Sequence, residues 1–300
     1  FASDLIKTEY VKLSGDGNAG STGYVLEPYL QTKDRGINFF TDESLFEEVE
    51  KFDRMGMGVT IHATGDAAVR QMIDSVERVK KKHGELKARH QIAPASMIHP
   101  DDVPRLKSLD ITAEFSPVVW FETEFVKAQI PQIGEHRMTY WYPMRSIAMS
   151  GGRFAIASDG PLMWQNTFRR LESAITRVSP DGGTKPLAPH EAIMLPVAVK
   201  AMTLDSAYLM NIEDEVGSIE VGKLADMVVL DRNLFGIPAT EISEAKVLLT
   251  IFNGKIVFDA NRSPYGEEAI EERYDVELDF TGATGHPCCE WHRAQLPRSN

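Results

Sequence analysis

Cysteine is nearly absent from this 300-residue chain: Cys288 and Cys289 are the only two, and they are neighbours. Adjacent cysteines cannot staple distant parts of a fold, so no disulfide framework is expected and a reducing, cytoplasmic setting is favoured. Basic charge is also scarce. Lys and Arg total 32 against 44 Asp and Glu, a net charge of -12, and no basic stripe runs along any segment. That argues against nucleic acid and anionic membrane as partners. No apolar run reaches the roughly 18 residues of a membrane span, and no signal peptide is recognised. Repeats and low-complexity tracts are missing. The chain opens on Phe1 without a Met, directly ahead of a strand-like "VKLSGDG", residues 11 to 17. A fragment of a longer protein is the expectation.

What is present suits a large globular core: 43% hydrophobic and 25% charged residues. Through roughly residue 210, strand and helix patterns alternate. "YVKLSG" reads as a strand, and a helix follows around Glu43 to Arg54 with Leu45, Phe46, Val49 and Phe52 as its apolar stripe. "VTIHATGDAAVRQMIDSVE", residues 59 to 77, reads as a strand feeding a helix, with Asp66 expected as its N-cap and Gly84 at its far end. "ARHQIAPAS", "DITAEFS" and "RFAIASDG" read as further strands, and "NTFRRLESAITRVS" as a helix. Residues 116 to 145 read as a long aromatic loop, split evenly between pocket wall and local core. Alternation of this kind implies a parallel sheet, as a doubly wound sheet or a (β/α)₈ barrel, with about five βα units present. From Val216 the pattern turns β-rich with hairpin turns, so residues 213–300 are expected to be a small β-domain plus a polar covering segment or tail.

Three strand ends carry chemistry. Parity puts Lys12 with Ser14, and Thr60 with His62, on the face opposite Val11, Leu13, Val59 and Ile61. Asp159 ends "FAIASD" on a face shared with the small Ala155 and Ala157. A lysine on a central strand is costly to bury unless its charge is removed or matched. An amine, an imidazole and a carboxylate at successive strand ends could converge as a metal or general-base site. Each also has a plainer reading: an edge-strand lysine, a hydrogen-bonded histidine and a turn-forming aspartate.

Taken together, "VKLSGDG", "IHATGDAAV", "RHQIAPASMIHPDDVPR", "IASDGP" and "NIEDEVGSIEVGKLADMVVLDRNLF" resemble the amidohydrolase superfamily, in its amidohydrolase-3 or YtcJ-like branch. The similarity runs from about Tyr10 to Asp259. It implies an α/β fold: a (β/α)₈ TIM-type barrel, here incomplete with about its last five units (residues 1–212), followed by a small β-sandwich segment (residues 213–300). It also implies a metal-dependent hydrolase that cleaves an amide- or formamide-type C–N bond of a small molecule with metal-activated water. One or two divalent ions, usually zinc, are held in that family by a His-x-His pair on the first strand, a lysine, often carbamylated, on the fourth, histidines on the fifth and sixth, and an aspartate on the eighth. Lys12, His62 and Asp159 match the fourth, fifth and eighth positions as metal ligands, with Asp159 also the catalytic proton shuttle. Trp120 in the aromatic loop is the expected substrate contact, and a homodimer is compatible with the sequence.

Two departures stand out. Pro94 occupies the expected sixth-strand ligand position and offers no donor, while His90, four residues upstream, lies about 13 Å away along an extended strand and cannot substitute. No His-x-His occurs anywhere. A degenerate, non-catalytic homologue acting as a binding or structural module is therefore the second reading. His99, His136 and His190 are assigned to surface or cap roles.

Overall fold

The computed structural model describes residues 6–18, 20–116, 120–159 and 166–262. Cys288, Cys289 and the polar tail lie outside them, as does the Gly160-Pro161 pair.

Five strands form one parallel sheet in chain order: β1 (Tyr10–Ser14), β2 (Gly58–Ala63), β3 (Gln91–Ala95), β4 (Thr112–Phe115) and β5 (Phe154–Ile156). Register aligns Lys12 with Thr60 and Ser14 with His62, then Thr60 with Gln91, Gln91 with Thr112, and Glu114 with Ala155. Side-by-side residues of a sheet share a face, so these residues line one polar face. The opposite face carries Val59, Ile61, Ile92, Ala113, Phe115, Phe154 and Ile156, all buried. Each large apolar side chain removed from water there contributes about 1.5–3 kcal/mol.

The helices supply the cover. In α1 (Asp42–Arg54) the Thr41 side chain accepts from Ser44 N, and Leu45, Phe46 and Val49 are buried as the stripe requires, whereas Phe52 is only half-buried. The helix α2 (Asp66–His83) stops at Gly84, which takes the left-handed conformation at φ 82°. Gly65, not Asp66, is the N-cap residue. The Asp66 carboxylate instead accepts from Leu26 N (2.8 Å) and the Tyr140 hydroxyl (3.2 Å), because those long-range partners reach it in place of its own first-turn amides. α3 (Val103–Ser108) leads to β4.

The stretch read as a loop holds two helices, α4 (Glu124–Ile133) and α5 (Glu135–Met138), and a third, α6 (Met144–Met149), begins at its end. Pro131 sits inside α4 and signals a break to a sequence reading, yet the helix continues through it. After β5 come α7 (Thr167–Thr176), α8 (Leu195–Met202) and α9 (Leu204–Leu209). The latter packs at the amino end of the sheet, where Gln91 and Arg89 donate to the Leu209 and Tyr208 carbonyls.

A second, three-stranded antiparallel sheet follows: β6 (Met227–Leu230), β7 (Val247–Phe252) and β8 (Lys255–Asp259). A short 3₁₀ segment, Ala239–Glu244, anchors it to α7 through Ser243 N donating to Glu172 at 2.8 Å. Among the described residues this sheet is a single layer, with Val228, Val229, Ile256 and Val257 exposed. No helix of the described residues is long and apolar enough to cross a membrane.

Candidate active site

The polar face is where the charged residues meet. Lys12 donates from Nζ to the Ala93 carbonyl, two strands away on β3. The residue as a whole is exposed, but its ammonium is crowded by protein, and that desolvation lowers its pKa against the opposing pull of Glu114 and Asp159. Glu114, half-buried on β4, is raised by burial; the Lys12 charge and a 3.2 Å bond from the Ser116 hydroxyl work against the rise, and Asp159 adds to it. In a flat sheet, β1 and β5 would lie about 19 Å apart. Lys12 nevertheless bonds across β2 and senses Asp159 beyond β5, so the sheet curls about its polar face.

Asp159 lies three residues past β5, exposed, at φ 48°. Aspartate tolerates this left-handed region better than most residues, and the turn presents its carboxylate at the carboxyl rim. Glu114 escaped the sequence reading, since "TAEF" reads only as an alternating strand. Its one available signal was parity, which places a carboxylate on the same face as Lys12.

His62, the penultimate residue of β2, lies on the same side. Its Nε2 lies 3.1 Å from the Gly17 carbonyl and 3.8 Å from Asp16 Oδ1, with a quarter of the side chain exposed. A carbonyl can only accept, so Nε2 carries the proton. Asp16 was also missed. In "SGDG" it looks like a turn former, but its buried carboxylate accepts from Tyr24 N (2.9 Å), Thr64 N (2.9 Å) and Gly65 N (2.7 Å). Burial pushes this carboxyl up to about 7 against those three amide donors.

Trp120, the expected substrate contact, is instead completely buried, its ring centroid 6.2 Å from that of Tyr142. It is core here because Tyr142, Trp141 and Phe121 are buried with it. Burial also raises the Tyr142 hydroxyl, which is paired with Ser96 at 3.0 Å and feels both Asp159 and Glu114. The aromatic stretch thus resolves as core beneath the rim. Pro94 lies within β3, where the register with β2 shifts. His90 is fixed at the strand's amino end, accepting from Val59 N at 3.1 Å through Nδ1 and facing Asp53 at 3.3 Å through Nε2. His99, His136 and His190 make local polar contacts with Asp101 N, Glu27 and the Thr139 carbonyl.

Among the described residues, no three His, Cys, Asp or Glu side chains come together as a metal-holding group. Lys12, His62 and Asp159 do not by themselves fit a divalent ion. A cavity of about 580 Å³, lined by Gly58, Lys87, Arg89, Asp110 and Asn211, opens at the amino ends of the strands, away from these residues. It contains none of the rim groups and does not bear on their chemistry.

A model of the amidohydrolase family matches residues 1–258. The chain belongs to the amidohydrolase family. Among its relatives, LONG AFTER FAR-RED 3 of Arabidopsis thaliana is 28% identical over 84% of this chain and 44% of its own length. YtcJ of Bacillus subtilis is 27% identical over 83% and 47%. The N-substituted formamide deformylase of Arthrobacter pascens is 26% identical over 76% and 41%. This amidohydrolase chain therefore spans less than half the length of these three curated relatives. A solved metal-dependent hydrolase from Pyrococcus furiosus superposes with a TM-score of 0.64 at 24% identity, covering 78% of this chain and 46% of that one, which shows a shared fold.

Proposed function

We propose that this chain is part of a metal-dependent hydrolase that cleaves an amide- or formamide-type C–N bond of a small molecule. The reading is supported by Lys12 and Glu114 lying on one face of the parallel sheet, with Asp159 close enough to act on both electrostatically, in a chain of the amidohydrolase family. The formamide deformylase among its relatives supports the substrate class. The five-stranded sheet, on this reading, is an arc of a (β/α)₈ barrel, and the antiparallel sheet of β6 to β8 belongs to a β-sandwich segment. A small-molecule substrate in a cytoplasmic setting completes the proposal, with homodimer formation open to test.

Asp159 is proposed as the proton shuttle. Water attacks the carbonyl carbon, Asp159 takes its proton, and the same proton passes to the leaving nitrogen as the C–N bond breaks, giving an acid and an amine. Lys12, with its lowered pKa, holds more neutral amine than an ordinary lysine, and the neutral amine is the form that adds carbon dioxide to give a carbamate and a proton. One or two divalent ions, zinc first among them, belong to the proposal through the family. Among the described residues the donors are too few to hold an ion unaided. The enzyme is favoured over the degenerate alternative because relatives matched over this region include a formamide deformylase and a 5-methylthioadenosine/S-adenosylhomocysteine deaminase.

The test is metal analysis together with formamide and amide hydrolysis by the whole protein. Stoichiometric divalent metal and turnover lost on chelation are expected. A metal-free preparation with full activity would overturn metal dependence.

A further inference from the structure

We propose that Asp16 is a positioning residue, one that fixes the ring orientation and tautomer of His62 through the Gly17 carbonyl. This rests on the reading of His62 as a site residue. The Asp16 side chain is fully buried, and its two oxygens gather the amides of Tyr24, Thr64 and Gly65 at 2.7–2.9 Å. Those amides come from the loop after β1 and from the junction between β2 and α2, so a single carboxylate ties together the segments on either side of the His62 rim. Thr64 adds a second tie. Its hydroxyl donates at 2.8 Å to the Gly17 carbonyl, the same oxygen that His62 Nε2 meets at 3.1 Å. A carbonyl has two lone pairs, and here both are engaged, one by the threonine and one by the imidazole.

The backbone around this knot has no slack. A Cβ on Gly17 would come within 2.3 Å of Thr22 Oγ1, and one on Gly65 within 2.0 Å of the Tyr24 carbonyl oxygen. The Gly17 oxygen is therefore held in place by packing as well as by hydrogen bonds. With Nε2–H committed to that oxygen, a neutral imidazole carries its lone pair on Nδ1, so the knot selects which nitrogen can accept a proton or a ligand.

The experiment is ¹⁵N NMR of the His62 ring in the full chain, paired with steady-state kinetics of the whole hydrolase. The wild type is expected to show the Nε2-protonated tautomer. Thr64→Val removes only the hydroxyl tie and keeps every backbone amide; it should shift the ring toward a tautomer mixture. Asp16→Asn, which replaces one of the two acceptor oxygens with an amide donor facing at least one of the three N–H groups, should shift it further. Second-sphere changes of this type reduce activity about 10–100-fold, and the loss should fall on kcat with KM little changed. His62 nitrogen shifts that stay at wild-type values in folded Thr64→Val would overturn the positioning role, even if Asp16→Asn does not fold. Shifted ring nitrogens with unchanged turnover would uphold the coupling of Asp16 to His62 and instead count against His62 as a site residue.

Discussion

Two histidine–aspartate pairs stand at opposite ends of the same sheet, and they do different things. At the amino end, His90 and Asp53 are both fully buried with 3.3 Å between them. His90 commits both ring nitrogens to the protein, one to Val59 N and one to Asp53. At the carboxyl rim, His62 and Asp16 are 3.8 Å apart, and the imidazole keeps a quarter of its surface. Identical residue types thus give a structural clasp in one place and a candidate chemical group in the other. The difference lies in how far each ring is buried and in which end of the strand carries it, since chemistry in parallel α/β folds gathers at the carboxyl ends.

The sharpest way to break the comparison is at the rim. Asp159→Asn should lower turnover about 10²–10⁴-fold, the range of general acid–base catalysis, while thermal unfolding stays at the wild-type midpoint. Asparagine accepts the left-handed backbone at φ 48° as readily as aspartate, so a fold effect is not expected. Retained turnover would remove Asp159 from the chemistry. At the other end the signs reverse: His90→Ala should leave site chemistry intact and cost about 2–3 kcal/mol of stability, because the Val59 amide loses its acceptor and Asp53 a donor in a buried setting. Urea denaturation reads this directly, and a variant as stable as wild type would show the clasp to be dispensable.

Asp53 sharpens the contrast through pH. Burial alone would raise it, but His90, Arg54 and the amides of Lys87 and Ala88 hold it down to about 2 from 3.8. A carboxyl depressed by folding contributes stability above its unfolded value, and loses it as pH falls from 3.8 through about 2. The shift is worth about 2 kcal/mol, and Asp53→Asn should flatten that acid limb. If the acid limb is as steep in Asp53→Asn as in wild type, other carboxylates control it.

Much of this was legible in the sequence, and what was not has a physical reason. Parity along β1 and β2 placed Lys12 and His62 on one face, helical spacing found the α1 stripe, and Gly84 marked the end of α2. These are local periodicities. Asp66 failed as an N-cap because its partners, Leu26 and Tyr140, come from distant segments that no local pattern reveals. Asp16 was passed over for the same reason. The helices of residues 124–149 were hidden by Pro131 and by an aromatic density that reads equally as pocket or core. Trp120 shows how that choice fell: a large ring in a loop is buried as soon as neighbouring rings can enclose it.

The smallest expected effect concerns the Lys12–Glu114 pair, and it tests whether the polar face is one electrostatic unit. Glu114 is raised by folding, so its contribution is full below the unfolded value of 4.5 and declines as pH rises through the folded value. Lys12 is lowered, so the unfolded chain binds the extra proton, and stability recovers as pH rises through the folded value toward 10.5. The two charges support each other's ionised forms. Glu114→Gln should therefore depress the Lys12 pKa further, and Lys12→Met should raise that of Glu114, each by the same coupling, since linkage between two sites is reciprocal. Side-chain NMR titration of both variants reads the two shifts. Unequal shifts would point to relaxation of the sheet, and no shift in either would mean that β1 and β4 do not share a field, leaving the sheet flatter than the Lys12–Ala93 bond requires.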